Sequence, residues 1–147
     1  MFRSILVPID IEQPSSWELA LPQAIELAEA SRGSVTVMTV VKDLKAMFEG
    51  RYFSFQVDLM ISGARDKLIR IVSGYRSTNV PLTEEVCFGS IGHEILRTAH
   101  DCGTDLVVMA SHRPEMRDYL IGPNAAHVAQ HAKCSVLVLR RPEDKRS

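Results

Sequence analysis

Five short apolar runs punctuate the chain, and the stretches between them carry apolar residues at helical spacing. The first run, Ser4–Asp10 (SILVPID), is apolar on both faces, which suits a central strand of a parallel sheet. Pro8 has no N–H to offer a ladder, so it belongs at the carboxyl end of that strand. Pro14–Ser31 reads as a helix with Ser15 or Ser16 as cap. Its apolar stripe is Leu19, Ala20, Gln23, Ala24, Leu27 and Ala28, and Gly33 stops it. Ser34–Val41 (SVTVMTVV) is β-branched and strand-like. Lys42–Phe55 has no period and reads as a polar and aromatic connection. Gln56–Arg76 is the next helix, with Val57, Met60, Ile61, Ala64, Leu68, Ile71 and Val72 inward. Leu82–Phe88 is a shorter strand. Gly89 and Ser90 precede a helix over Ile91–Asp101, which turns Ile91, Ile95, Leu96 and Ala99 to one side and ends at Gly103. Asp105–Ala110 (DLVVMA) is a second buried strand, Asn124–Ala132 a helix, and Ser135–Leu139 (SVLVL) the last strand.

Strand and helix alternate throughout, so the expected class is α/β. The expected architecture is a doubly wound, Rossmann-like parallel sheet of five strands in the order 3-2-1-4-5, with helices on both faces. Ligands of such sheets bind outside the carboxyl ends of the strands, where strand order reverses. Here that point lies between strands one and four. It gathers Pro8, Ile9 and Asp10 with Met109, Ala110, Ser111 and His112, and the end of strand two, Val40 and Val41, lies next door. Gly122 and Pro123 precede the helix beginning near Asn124, whose unpaired N–H groups and partial positive charge suit an anion. Ser111, His112, Arg113 and Asn124 add donors. Asp10 offers carboxylate oxygens to a ribose hydroxyl or an adenine amine. The set fits a mononucleotide, with the base near Val40 and Val41, the ribose near Asp10 and the phosphates on the turn after strand four.

Composition narrows the field. The 147 residues read as one domain, 1–141, with a charged tail over 142–147. Net charge is −1, so no basic excess draws in nucleic acid. No apolar stretch reaches about 18–20 residues, and MFRSILVPID turns polar too soon for a signal peptide, so a cytoplasmic protein away from membranes is expected. Cys87, Cys102 and Cys134 form no CxxC pair and read as reduced thiols. His127 and His131 stand four apart without a third metal ligand, and His93 and His100 seven apart, so all four read as surface residues. There is no Walker loop, no GxGxxG after the first strand, no GxSxG and no HExxH. Ser90-Ile91-Gly92-His93 echoes a nucleotidyl-transfer HxGH but lacks its first histidine.

The opening ILVPID, the strand VTVMTVV, the segment FGSIGHEILRTAHDCGTDLVVMASH and the closing HVAQHAKCSVLVLR together resemble the universal stress protein family, from Met1 to Arg140. The resemblance implies an adenine nucleotide alpha hydrolase-like fold and a cytosolic protein induced by stress or growth arrest. It also implies a homodimer, commonly formed through the edge of the last strand, here Ser135–Leu139. Nucleotide-binding members carry G-x2-G-x9-G-[ST] after strand four. In this chain Ala110 and Arg113 stand at the first two glycines, Gly122 at the third and Pro123 at the Ser/Thr. Eight residues separate Arg113 from Gly122, one fewer than in the signature. Pro123 removes an N–H and a hydroxyl yet suits the first position of a helix. Arg113 replaces a bare backbone with a guanidinium that can hold phosphate.

Three functions stay open on this footing. The first is a dimeric regulator of the stress response that binds ATP, with Mg²⁺ arriving on the phosphates. The second is a dimeric interaction module that binds no nucleotide, its protein partner unknown. The third is a slow ATP hydrolase, although the turn carries no general base or nucleophile. Met47–Phe55 reads as either a lid or a partner surface.

Overall fold

Residues 1–42, 53–76, 79–111 and 123–141 are described by a computed structural model. Five strands, β1 (Ser4–Pro8), β2 (Ser34–Lys42), β3 (Leu82–Gly89), β4 (Leu106–Ala110) and β5 (Ser135–Leu139), form one parallel sheet in the order β3-β2-β1-β4-β5. The connections carry α1 (Ala20–Ser31), α2 (Phe53–Ser73), α3 (Ile91–Asp101) and α4 (Pro123–His131). The alternation of strand and helix therefore led to the right sheet.

The direction of travel decides which face each helix covers. From β1 to β3 the chain moves one way across the sheet; from β3 it jumps back past β1 to β4 and continues the other way. Right-handed crossovers then put α1 and α2 on one face and α3 and α4 on the other. Alternate side chains of the strands feed two cores. Ile5, Val7, Val35 and Val37 pack with Ala24, Ile25, Leu68 and Val72. Leu6, Met38 and Val107 pack with Ile95, Ala99 and Val128. Burial on both faces explains why β1 and β4 read as unbroken apolar runs.

Several boundaries differ from the sequence reading, for local reasons. Pro14–Ser31 is not one helix: Pro14–Ser16 forms a 3-10 turn and α1 starts at Ala20. Ser16 caps no helix, because its hydroxyl is engaged with the backbone of Asp10. The buried face of α1 is Ala20, Leu21, Ala24, Ile25 and Ala28, while Leu19 is exposed. Two overlapping apolar stripes run along this helix, and packing on the sheet selects the second.

Helix α1 stops at Arg32, which takes the left-handed conformation at φ 56°. The N–H groups of Arg32 and Gly33 bond back to Glu29 and Ala28, closing a Schellman motif. Gly33 is needed for space instead: a Cβ there would lie 2.7 Å from the Cα and carbonyl oxygen of Arg3. Gly103, at φ 61°, does end α3 as its position suggests. Lys42 belongs to β2, and Phe53–Phe55 to α2, which ends at Ser73. The rest of the Lys42–Phe55 connection lies outside the described residues. Asp105 precedes β4 and fastens it to β1: its carboxylate accepts the N–H groups of Arg3 and Ser4, and its own N–H donates to the Ser4 carbonyl.

Candidate functional site at the strand ends

A seam opens between β1 and β4. Strand β1 pairs with β2 over five residues, Ser4–Pro8, but with β4 over only two, Ile5 and Leu6. Backbone groups of successive residues point to alternate neighbours in a ladder. Ile9 donates to Met38 on β2, so the N–H that Pro8 lacks would have pointed at β4. The ladder fails where that donor is missing, and a cavity of about 790 Å³ lies at the strand ends. Its size falls within the range of small-molecule sites.

Nine of the residues nominated from sequence line this cavity. Pro8, Ile9 and Asp10 come from the end of β1, and Val40 and Val41 from β2. Met109, Ala110 and Ser111 come from β4, and Asn124 from the first turn of α4. Pro123 is the first residue of α4, the place where a missing N–H does least harm to a helix. His112, Arg113 and Gly122 lie outside the described residues. The apolar set Ile9, Val40, Val41 and Met109 offers contact to a flat ring. Ser111, Asn124 and the start of α4 offer donors.

The β1–α1 loop is held by its own hydrogen bonds. The Asp10 N–H donates to Ser16 Oγ at 2.8 Å, and that hydroxyl donates to the Asp10 carbonyl at 3.0 Å. One Asp10 carboxylate oxygen accepts the Glu12 N–H at 2.9 Å, a local Asx turn. Gln13 N–H also donates to the Asp10 carbonyl. Asp10 thus organises the loop as well as facing the cavity. Glu12 then reaches across to α2, where Lys67 Nζ meets its Oε1 at 2.8 Å.

The wall built by α2 was missed in the sequence. Leu59, Met60, Gly63, Ala64 and Lys67 all line the cavity, as do Ile91 and Ile95 of α3. Met60 and Ala64 look like core positions in the apolar stripe. The stripe alone does not separate the two roles: along α2, residues from Leu59 to Lys67 contribute to the cavity, whereas Leu68 and Val72 pack on the sheet.

Other candidate groups stand apart from this site. His127 and His131 are exposed on α4 with ring centroids 4.6 Å apart, and His93 and His100 are exposed on α3. A Cβ on Gly92 would meet His127 at 2.6 Å, so this glycine sets the close approach of α3 and α4. Among the described residues no group of three His, Cys, Asp or Glu side chains could hold a metal. Burial raises the Cys102 thiol, helped by Glu85 and Asp101, and burial also raises Cys134. Burial raises Tyr75, with Glu18 adding to it. The Glu94 carboxylate, beside Arg97 at 2.6 Å, raises that guanidinium further. No helix among the described residues is long and apolar enough to cross a membrane.

The family model described as "Universal stress protein family" matches residues 1–140. Universal stress protein G of Shigella flexneri is 28% identical over 144 residues, covering 95% of this chain and all of the relative. The universal stress protein UspA from Lactobacillus plantarum superposes with a TM-score of 0.78 at 22% identity, over 95% of this chain and 98% of that one. Two further neighbours were solved with adenine nucleotides. The universal stress protein from Archaeoglobus fulgidus in complex with dAMP gives a TM-score of 0.68 at 18% identity, over 94% and 97% of the two chains. A universal stress protein in complex with cAMP gives 0.62 at 18%, over 95% and 97%. These likenesses establish the Rossmann-like fold.

Proposed function

The chain belongs to the universal stress protein family, and on that premise we propose that its cavity binds an adenine nucleotide, ATP foremost, and that it acts in the stress response by binding rather than turnover. The observation that carries this reading is the cavity at the β1–β4 seam, where Asp10, Val40, Val41, Met109, Ser111 and Asn124 converge. The base lies against Ile9, Val40, Val41 and Met109. Asp10 takes a ribose hydroxyl or the exocyclic amine. Ser111, Asn124 and the first turn of α4 take the phosphates, with His112, Arg113 and Gly122 of the intervening sequence adding to them. Mg²⁺ comes with the phosphates rather than from a protein cage. The neighbours solved with dAMP and with cAMP support an adenine nucleotide as the ligand class.

The protein works as a cytoplasmic homodimer joined through β5. That strand is at the sheet edge, and Val136, Leu137, Val138 and Leu139 are half-buried there. An apolar edge of this kind, unpaired on its outer side among the described residues, calls for a partner strand, and a two-fold pair is the simplest supply.

The test is to denature the purified protein, identify what it releases, and titrate stripped protein with Mg·ATP by calorimetry. Adenine nucleotide near one per chain is the expected result. An empty extract with a flat titration would overturn the proposal. The result would then favour an interaction module, a reading to which Pro123 lends weight because it deprives a phosphate of one N–H at the start of α4.

A further inference from the structure

The ion pair between Glu12 and Lys67 spans the cavity from the β1–α1 loop to α2, and both residues line it. The side chains are 69% and 40% exposed, and pairs so exposed add little to folding stability. The backbone that presents Glu12 is nevertheless tied. Glu12 is presented by the Asx turn on Asp10, and that loop is tied again through Ser16. Lys67 stands one turn beyond Gly63, where a Cβ would meet nothing within 4 Å. A flat ring can therefore lie close along the backbone of α2 and bring its edge to the pair.

We propose that Glu12 and Lys67 read the base edge of the nucleotide and select adenine over guanine. This rests on the reading of the cavity as an adenine-nucleotide site. A carboxylate oxygen and an ammonium 2.8 Å apart present an acceptor and a donor side by side. That is the pattern an Asn or Gln amide presents when it takes adenine by N6 and N7 together. Glu12 accepts from the N6 amine, which leaves Asp10 the ribose hydroxyl, and Lys67 donates to N7. Guanine offers acceptors at both O6 and N7. Its O6 would face the carboxylate of Glu12, and like polarity would oppose binding. Lys67 donates to N7 of either purine and could also reach guanine O6, so the selection of adenine resides in Glu12.

The two roles separate in calorimetric titrations of the full chain with AMP, GMP and 7-deaza-AMP. Glu12→Gln supplies an amide that can turn its N–H₂ toward O6. It is expected to narrow the AMP-to-GMP affinity ratio by at least about fivefold, the lower end of what one bidentate base contact discriminates. Lys67→Met is expected to weaken both AMP and GMP and to leave AMP the tighter ligand. The wild-type chain is expected to bind 7-deaza-AMP about fivefold or more weakly than AMP, and Lys67→Met to bind the two alike. The 7-deaza-AMP comparison on the wild-type chain needs no variant to fold. An AMP-to-GMP ratio untouched by Glu12→Gln, or equal wild-type affinity for AMP and 7-deaza-AMP, would overturn the assignment while leaving the nucleotide site standing. Failure of the wild-type chain to bind AMP or ATP would remove both.

Discussion

Gly63 is the position where stability and binding are expected to move in opposite directions. It sits within α2, a 21-residue helix, and lines the cavity with nothing within 4 Å of where a Cβ would be. An interior glycine costs a helix about 0.8–1.0 kcal/mol relative to alanine. No neighbour has to move for the methyl group. Gly63→Ala should therefore stabilise the ligand-free chain by about 1 kcal/mol, raising its melting temperature by about 3 °C for a chain of 147 residues. Gly63→Leu keeps most of that gain, because leucine is nearly as good a helix former, but its side chain enters the cavity. At a ligand concentration one hundred times Kd, the wild-type chain should gain about 2.7 kcal/mol from AMP or ATP. The leucine variant should gain far less. Scanning calorimetry with and without nucleotide reads both effects on one sample. A lower melting temperature for Gly63→Ala would refute the claim that the position is open. A full nucleotide shift in Gly63→Leu would refute α2 as a wall of the binding site.

Three other outcomes are expected. Gly33→Ala should cost about 1–3 kcal/mol in urea unfolding, because its methyl would press on the backbone of Arg3 and neither strand can yield freely; wild-type stability in that variant would contradict the close approach of α1 to β1. Burial holds Tyr75 protonated above its ordinary value of 10.0, so its contribution is present below that pH and is lost as pH rises through the higher folded value. Stability should fall above about pH 10, and Tyr75→Phe should flatten that fall without effect at pH 7; an identical profile in both proteins would count against it. Val138→Lys puts a charge on the half-buried edge strand β5 and should turn a dimer into a monomer in sedimentation, an idea that fails if wild type already sediments as a monomer.

Much of the fold is legible in the sequence because burial on both faces leaves a plain signature. Strand β5 and helix α3 match their expected limits residue for residue. The stop of α1 is harder, since glycine is the default left-handed residue and one stands at position 33. Contact with Arg3 occupies that glycine, and the left-handed turn falls to Arg32. The site is half legible. The switch-point rule finds the strand ends, from Pro8 to Asp10 and from Met109 to Ser111, because topology alone places them. It does not find Met60, Ala64 or Lys67. An apolar stripe looks the same whether it faces a core or a cavity.

Proline at position 8 links the fold to the site. A donor there would continue the ladder toward β4 and draw the two central strands together at their carboxyl ends. Its absence ends that ladder at Leu6, yet β1 stays paired with β2 through Pro8 and β4 stays paired with β5 through Ala110. Each central strand keeps one complete neighbour, so the seam opens without loosening the sheet. The crossover reversal adds the second condition. Helices α1 and α2 cover one face and α3 and α4 the other, so α1 and α4, which follow β1 and β4, lie on opposite sides of this seam. Topology therefore explains that the cavity exists. The particular residues explain its polarity: Asp10 shapes the loop, Glu12 and Lys67 span to α2, and Ser111 and Asn124 supply the donors opposite. The purine nucleotide proposed above, flat in the middle and polar at both ends, is matched to this lining.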